Sequence, residues 1–145
     1  EVANEHPDIT IKDVYYHVET PQDAASKVEQ VQATNPDIQG WAMVGGWALF
    51  SDAIRKNPAF QDGKVKIVSV DALPESLPYI EEGIASKLLA QRIYGWGYRT
   101  VEILLDHVAF DKTPPDGRDV SDLMPVTPET LPEYKKLWET RWKLN

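Results

Sequence analysis

The chain of 145 residues contains no cysteine, so neither a disulfide framework nor a thiolate metal site can form. That absence is neutral as to compartment. Histidine is nearly as scarce: His6, His17 and His107 share no ligand spacing, and no metal centre is expected. No apolar run approaches the ~20 residues needed to span a bilayer. The chain also lacks a phosphate loop, a dinucleotide fingerprint and a G-x-S-x-G elbow, since Gly45-Gly46 and Gly95-Trp96-Gly97 have neither the further glycines nor the strand context. Basic charge is short as well, with 15 Lys and Arg against 23 Asp and Glu and a formal net charge of −8. A nucleic acid or an anionic membrane surface would require clustered cations, so neither is expected as a partner. Acids are plentiful, but Glu81-Glu82 and residues 116–122 lie in stretches that read as solvated surface, which argues against a paired-carboxylate hydrolase. Neither a catalytic constellation nor a cofactor is expected.

What is present centres on residues 65–91, VKIVSVDALPESLPYIEEGIASKLLAQ. Val65–Val70 is β-branched and nearly continuous in apolar character, which suits a parallel strand covered on both faces. It ends at Asp71. An acid at the carboxyl end of such a strand sits where open α/β sheets place ligand-binding groups, although Asp71 could equally cap the next helix. The pattern then predicts a short helix over residues 74–82, Gly83 at its C-cap, and a strand over residues 84–90 that could also run on as helix.

Around this stretch the rest of the chain reads as alternating strands and helices. Residues 1–6 resemble the last turns of a helix stopped by Pro7, so further sequence is expected upstream. Residues 9–18 form a β-rich run. Thr20-Pro21-Gln22-Asp23 is close to a capping box, and Ala24, Ala25, Val28, Val31 and Gln32 continue a helix that ends at Asn35-Pro36. Trp41–Val44 reads as a short buried strand, and Gly45-Gly46 turns it into a helix over residues 47–56 whose amino terminus supplies donors. A glycine pair there allows close approach of a ligand, or merely a tight turn. Trp47 is either a platform for an apolar ring face or a core residue. Residues 91–107 predict an amphipathic helix with Ile93, Trp96, Gly97, Val101, Leu104 and Leu105 on one side, which makes Trp96 and Tyr98 packing residues. A surface turn over residues 112–118, a strand over residues 123–127 and a helix over residues 131–142 complete a βαβαβαβ order. This order predicts an α/β fold, a three-layer α/β/α sandwich with a mostly parallel sheet, in one domain over residues 1–145.

The run VDALPESLPYIEEGIASKLLAQ, together with NPDIQGWAMVG, resembles the carboxyl-terminal lobe of a type I periplasmic sugar-binding protein of the ribose- and galactose-binding kind. The resemblance extends from about Ile9 to the end of the chain. It implies that Asp71 accepts hydrogen bonds from sugar hydroxyls and that Gln91 contributes an amide where the chain crosses between lobes. The family's turn after the second strand commonly carries Asn-Asp, with the Asn contacting the sugar; here Gly45 and Gly46 stand instead, leaving backbone groups and Trp47. The family aromatic before the Asp is Val70.

The resemblance implies a non-catalytic monosaccharide- or polyol-binding component of an ABC importer, located in the periplasm or otherwise outside the cytoplasm after loss of a signal peptide. Its partners would be the sugar, an amino-terminal lobe and the transporter permease. Residues 91–111 would then belong with that other lobe. In its absence the helix over residues 91–107 is expected either to fold back on its own sheet or, the preferred reading, to pair two copies of the chain. Alternatives are the effector core of a LacI-type regulator and a small flavodoxin-like enzyme.

Overall fold

Four short strands carry the fold. In the computed structural model, which describes residues 5–141, β1 (Gly40–Met43), β2 (Lys66–Val70), β3 (Ala85–Ala90) and β4 (Met124–Val126) lie side by side in chain order. The first three run parallel, because a helical crossover separates each from the next. β4 is antiparallel to β3, with Leu88 facing Val126 and Ala90 facing Met124. The mixed α/β, mostly parallel architecture predicted from the sequence is therefore the one that forms.

The helices are α1 (Pro21–Thr34), α2 (Ala53–Lys56), α3 (Pro58–Gln61), α4 (Leu77–Glu81), α5 (Ile93–Phe110) and α6 (Leu131–Thr140). α1 starts as its sequence demands: the Thr20 hydroxyl accepts the Asp23 N–H at 3.2 Å, and Pro21 occupies a position that needs no donor. One core joins the helices to one face of the sheet. Ala24, Ala25 and Val28 of α1, Tyr79 and Ile80 of α4, and Leu131 and Tyr134 of α6 cluster with Ile67, Leu88 and Val126. Along β2 burial alternates, with Ile67 and Ser69 buried while Lys66 and Val68 are exposed. The expectation that this strand is covered on both faces therefore fails: with Val68 40% exposed, its second face is open among the described residues.

Two further expectations need correction. Residues 47–56 do not form one helix. A 3-10 turn over Trp47–Phe50 stops at Ser51, whose backbone is extended and whose carbonyl accepts the Tyr79 hydroxyl, and α2 starts afresh at Ala53. Residues 9–18 form no strand. They lie alongside β1 in the same direction, tied only through side chains: Lys12 Nζ reaches Asp37 at 2.7 Å, and the Tyr15 and Trp41 rings sit 5.9 Å apart. No backbone hydrogen bond joins them to β1 among the described residues, and Ile9, Ile11, Val14, Tyr16 and Val18 are all exposed. A β-rich sequence becomes a strand only when its backbone is paired, and no such ladder closes between this run and the neighbouring β1 among the described residues. The helix reading over residues 1–6 falls largely on residues outside those described, as does Trp142.

α5 is the outlier of the fold. It closes on Asp111 in the left-handed region, with the Asp111 and Lys112 N–H groups donating to His107 and Asp106 carbonyls. None of its described residues is buried, and Trp96, Leu104 and Leu105 face solvent. It does not fold back on the sheet, and the packing role expected of Trp96 and Tyr98 is not realised within this chain.

Candidate functional site

At the carboxyl ends of β1, β2 and β3 the structure brings together Asp71, Gln91 and Gly46. β2 delivers Asp71 to the sheet edge, where its φ of 74° lies in the left-handed region, an uncommon state for a residue with a side chain. Its N–H donates to the Leu89 carbonyl at 2.9 Å, which keeps this turn tied to β3. The carboxylate is then engaged at both oxygens: the Gly46 N–H donates to Oδ2 at 3.1 Å, and Gln91 Nε2 donates to Oδ1. Asp71 does not cap the following helix. The 3-10 turn at Pro74–Ser76 begins at Leu73 and has no side-chain cap, so of the two readings of Asp71 the capping one is set aside.

The glycine turn is built from space as much as from conformation. Gly46 is buried with ordinary angles, φ −75° and ψ 0°, which any residue could adopt. A Cβ there would stand 2.6 Å from Phe50 Cζ and 3.0 Å from Asp71 Cβ, so only glycine fits between ring and carboxylate. A Cβ on Gly45 would meet the Trp47 indole at 3.3 Å, which puts that indole where a side chain at position 45 would project. Trp47 in turn stands edge-on to Phe50, with centroids 5.9 Å apart and planes at 72°. It is half-buried, packs on the core and also lines a cavity of about 280 Å³ with Gly45, Met43, Trp41, Tyr15 and Lys27. The core reading of Trp47 is thus partly realised, while its indole also forms part of the cavity wall. Asp71 and Gln91 do not line that cavity, which meets their cluster only through the Gly45-Gly46 turn. Of the donors expected from a helix amino terminus, the Gly46 N–H is already spent on Asp71.

Sequence reasoning missed two supports. Tyr134, read only as one apolar position of the last helix, donates its hydroxyl to the Ala72 carbonyl at 2.7 Å, directly behind Asp71. Burial pushes that hydroxyl above its ordinary pKa and the Asp71 carboxylate adds to the shift, while a bond with Trp138 opposes them. Phe50, the wall against Gly46, showed no signal beyond its place four residues after the glycine. Among the described residues no group of three or more His, Asp or Glu could hold a metal ion, and no helix is long and apolar enough to cross a membrane.

An acid and an amide converging beyond parallel strand ends can bind neutral hydrogen-bonding groups. Comparison with known proteins agrees in fold. A D-tagatopyranose-bound ABC transporter solute-binding protein from Agrobacterium vitis superposes with a TM-score of 0.76 at 22% identity, over 88% of this chain and 42% of that one. One from Actinobacillus succinogenes with bound D-allose gives 0.77 at 20% identity, over 90% and 45%. A protein described as a LacI transcriptional regulator from Bacteroides fragilis gives 0.66 at 17% identity, over 92% and 45%. The chain thus spans less than half the length of these structures. A search of curated protein sequences finds no match. The family model for the periplasmic binding protein domain matches residues 1–112, and the chain belongs to that family.

Proposed function

We propose that the chain is one lobe of a solute-binding protein that holds a monosaccharide or a related polyol outside the cytoplasm and hands it to the permease of an ABC importer. The observation that carries this reading is the convergence of Asp71, Gln91 and the Gly46 amide at the strand ends. A carboxylate has about four lone-pair sites, so one on each Asp71 oxygen remains for a hydroxyl donor after Gly46 and Gln91 are served. The Gln91 carbonyl oxygen adds another acceptor. Such a set favours ligands that donate hydrogen bonds and needs no charge on the ligand. Trp47 and Gly45 extend the contact surface from the other side of the turn. The sugar ligands of the neighbouring structures agree with this choice of ligand class.

We assign α5 to the cover of a second lobe, because an amphipathic helix none of whose residues is buried needs a surface to pack on in its complete setting. Pairing of two copies through the same face is the other outcome, and sedimentation over a concentration series separates the two: a monomer at all concentrations removes pairing. The LacI-type fold neighbour keeps an effector-binding core as the second reading, which a DNA-binding segment in the native reading frame would favour.

The binding test is a chemical-shift titration of the chain with pentoses and hexoses. A single lobe should bind at millimolar level at best, with shifts at Gly45, Gly46, Asp71 and Gln91. Shifts confined to another surface, or binding that survives Asp71→Ala unchanged, reject the assignment.

A further inference from the structure

We infer that Gly46 and Phe50 act as a positioning pair that fixes the Asp71 carboxylate for its ligand. The inference rests on the polyol-binding reading above and deepens it. The argument begins from Gly46, whose φ of −75° gives glycine no conformational advantage. The residue is dictated by crowding: one methyl group at this position would lie 2.6 and 2.7 Å from two Phe50 ring atoms and 3.0 Å from Asp71 Cβ. Ring, glycine and acid are therefore stacked in contact, with the glycine N–H turned onto Oδ2.

Each member of the stack is fixed from outside. Phe50 is the last residue of the 3-10 turn and is braced edge-on by Trp47. Asp71 is held in its left-handed backbone by the Leu89 carbonyl, with Tyr134 on the next carbonyl. Gln91 clasps the opposite oxygen. The carboxylate is thus immobilised by one donor per oxygen before any ligand arrives. Its remaining lone pairs keep a fixed direction, which lowers the ordering cost of binding. Neither Gly46 nor Phe50 presents a polar side chain to the ligand; both act through Asp71.

The test uses three variants, Gly46→Ala, Phe50→Leu and the double variant, with D-ribose, D-galactose and D-allose as probes in the titration described above. Gly46→Ala should weaken binding by about tenfold or more, the scale of one lost hydrogen bond to a charged group. Phe50→Leu removes the ring atoms that meet the new methyl, so the double variant should recover most of the lost melting temperature and bind about as Phe50→Leu alone does. A double variant that regains stability and binds as tightly as the parent would overturn the inference, as would a folded Gly46→Ala that binds as tightly as the parent. If Gly46→Ala does not fold, Phe50→Leu alone decides, and it should remain folded while binding several-fold more weakly; unchanged affinity overturns the inference. A ligand-free readout separates this claim from the functional reading. In Asp71→Asn the Gly46 amide resonance should move more than any other amide of the turn. A large shift there with no sugar binding by the parent chain would sink the polyol reading and leave the Gly46–Asp71 coupling standing, whereas an unmoved Gly46 resonance would sink the positioning claim itself.

Discussion

β2 and α5 are both apolar stretches of the same chain, and they meet opposite fates. Ile67 of β2 is fully buried among α1, α4 and α6 residues, whereas α5 carries Ile93, Val101, Leu104 and Leu105 into solvent. The difference does not lie in composition. It teaches that an apolar pattern states a demand for cover without saying which chain supplies it. β2 is flanked by crossover helices that return to it at once. α5 follows Gln91 away from the sheet, and the chain comes back only as β4, after the turn at Pro115–Gly117.

This contrast can be broken or sharpened by substitution. The largest effect is expected in the sheet. Leu88→Ala, at a fully buried position facing Val126, should cost about 2–5 kcal/mol in urea unfolding. A smaller loss would mean that the sheet is as loosely covered as α5. Next comes the buried Gln32 side chain beside β1. Gln32 accepts the Trp41 indole N–H at 2.8 Å and donates to the Ile38 carbonyl at 3.3 Å, so Gln32→Ala should cost about 1–3 kcal/mol by stranding those groups.

Alkaline titration probes the core in another way. Burial pushes the Tyr79 hydroxyl up to about 12 from an ordinary value of 10.0, and Arg55 partly opposes the shift. The unfolded chain releases this proton first, so the stability it contributes is fully present below pH 10 and is lost as pH rises from about 10 to about 12. In Tyr79→Phe the stability curve measured by denaturant titration should be flatter across that window. The smallest effect belongs to α5: Leu104→Ala should change stability by no more than about 0.5 kcal/mol, as at an ordinary surface site. A cost like that of Leu88→Ala would show that this helix is covered after all.

How much of this was legible beforehand depended on whether the deciding interaction was local. The start of α1 was legible because Thr20, Pro21 and Asp23 settle it among themselves. Asp71 at a strand end was legible because strand and turn are adjacent in sequence. The break at Ser51 was not, since its cause is the Tyr79 hydroxyl 28 residues away. Likewise the reason for Gly46 is the space left by Phe50 and Asp71, which no spacing rule contains. Residues 9–18 were misread for the same reason: their β propensity was plain, and the lack of a backbone ladder to β1 was not.

The outer side of β1 has a consequence for how the molecule behaves over time. Lys66 N–H donates to the Gln39 carbonyl, which sets the phase of the β1–β2 ladder: Trp41 and Met43 point their amides inward, while Gly40 and Ala42 point theirs away. No proline or charged side chain blunts this edge within Gly40–Met43, and residues 9–18 shield it with side chains alone. Deuterium should therefore enter alternate amides of a single strand at very different rates. Any extended segment that displaces residues 9–18 would find a row of unspent donors and acceptors already aligned, so the strand is a place where chains can recruit one another.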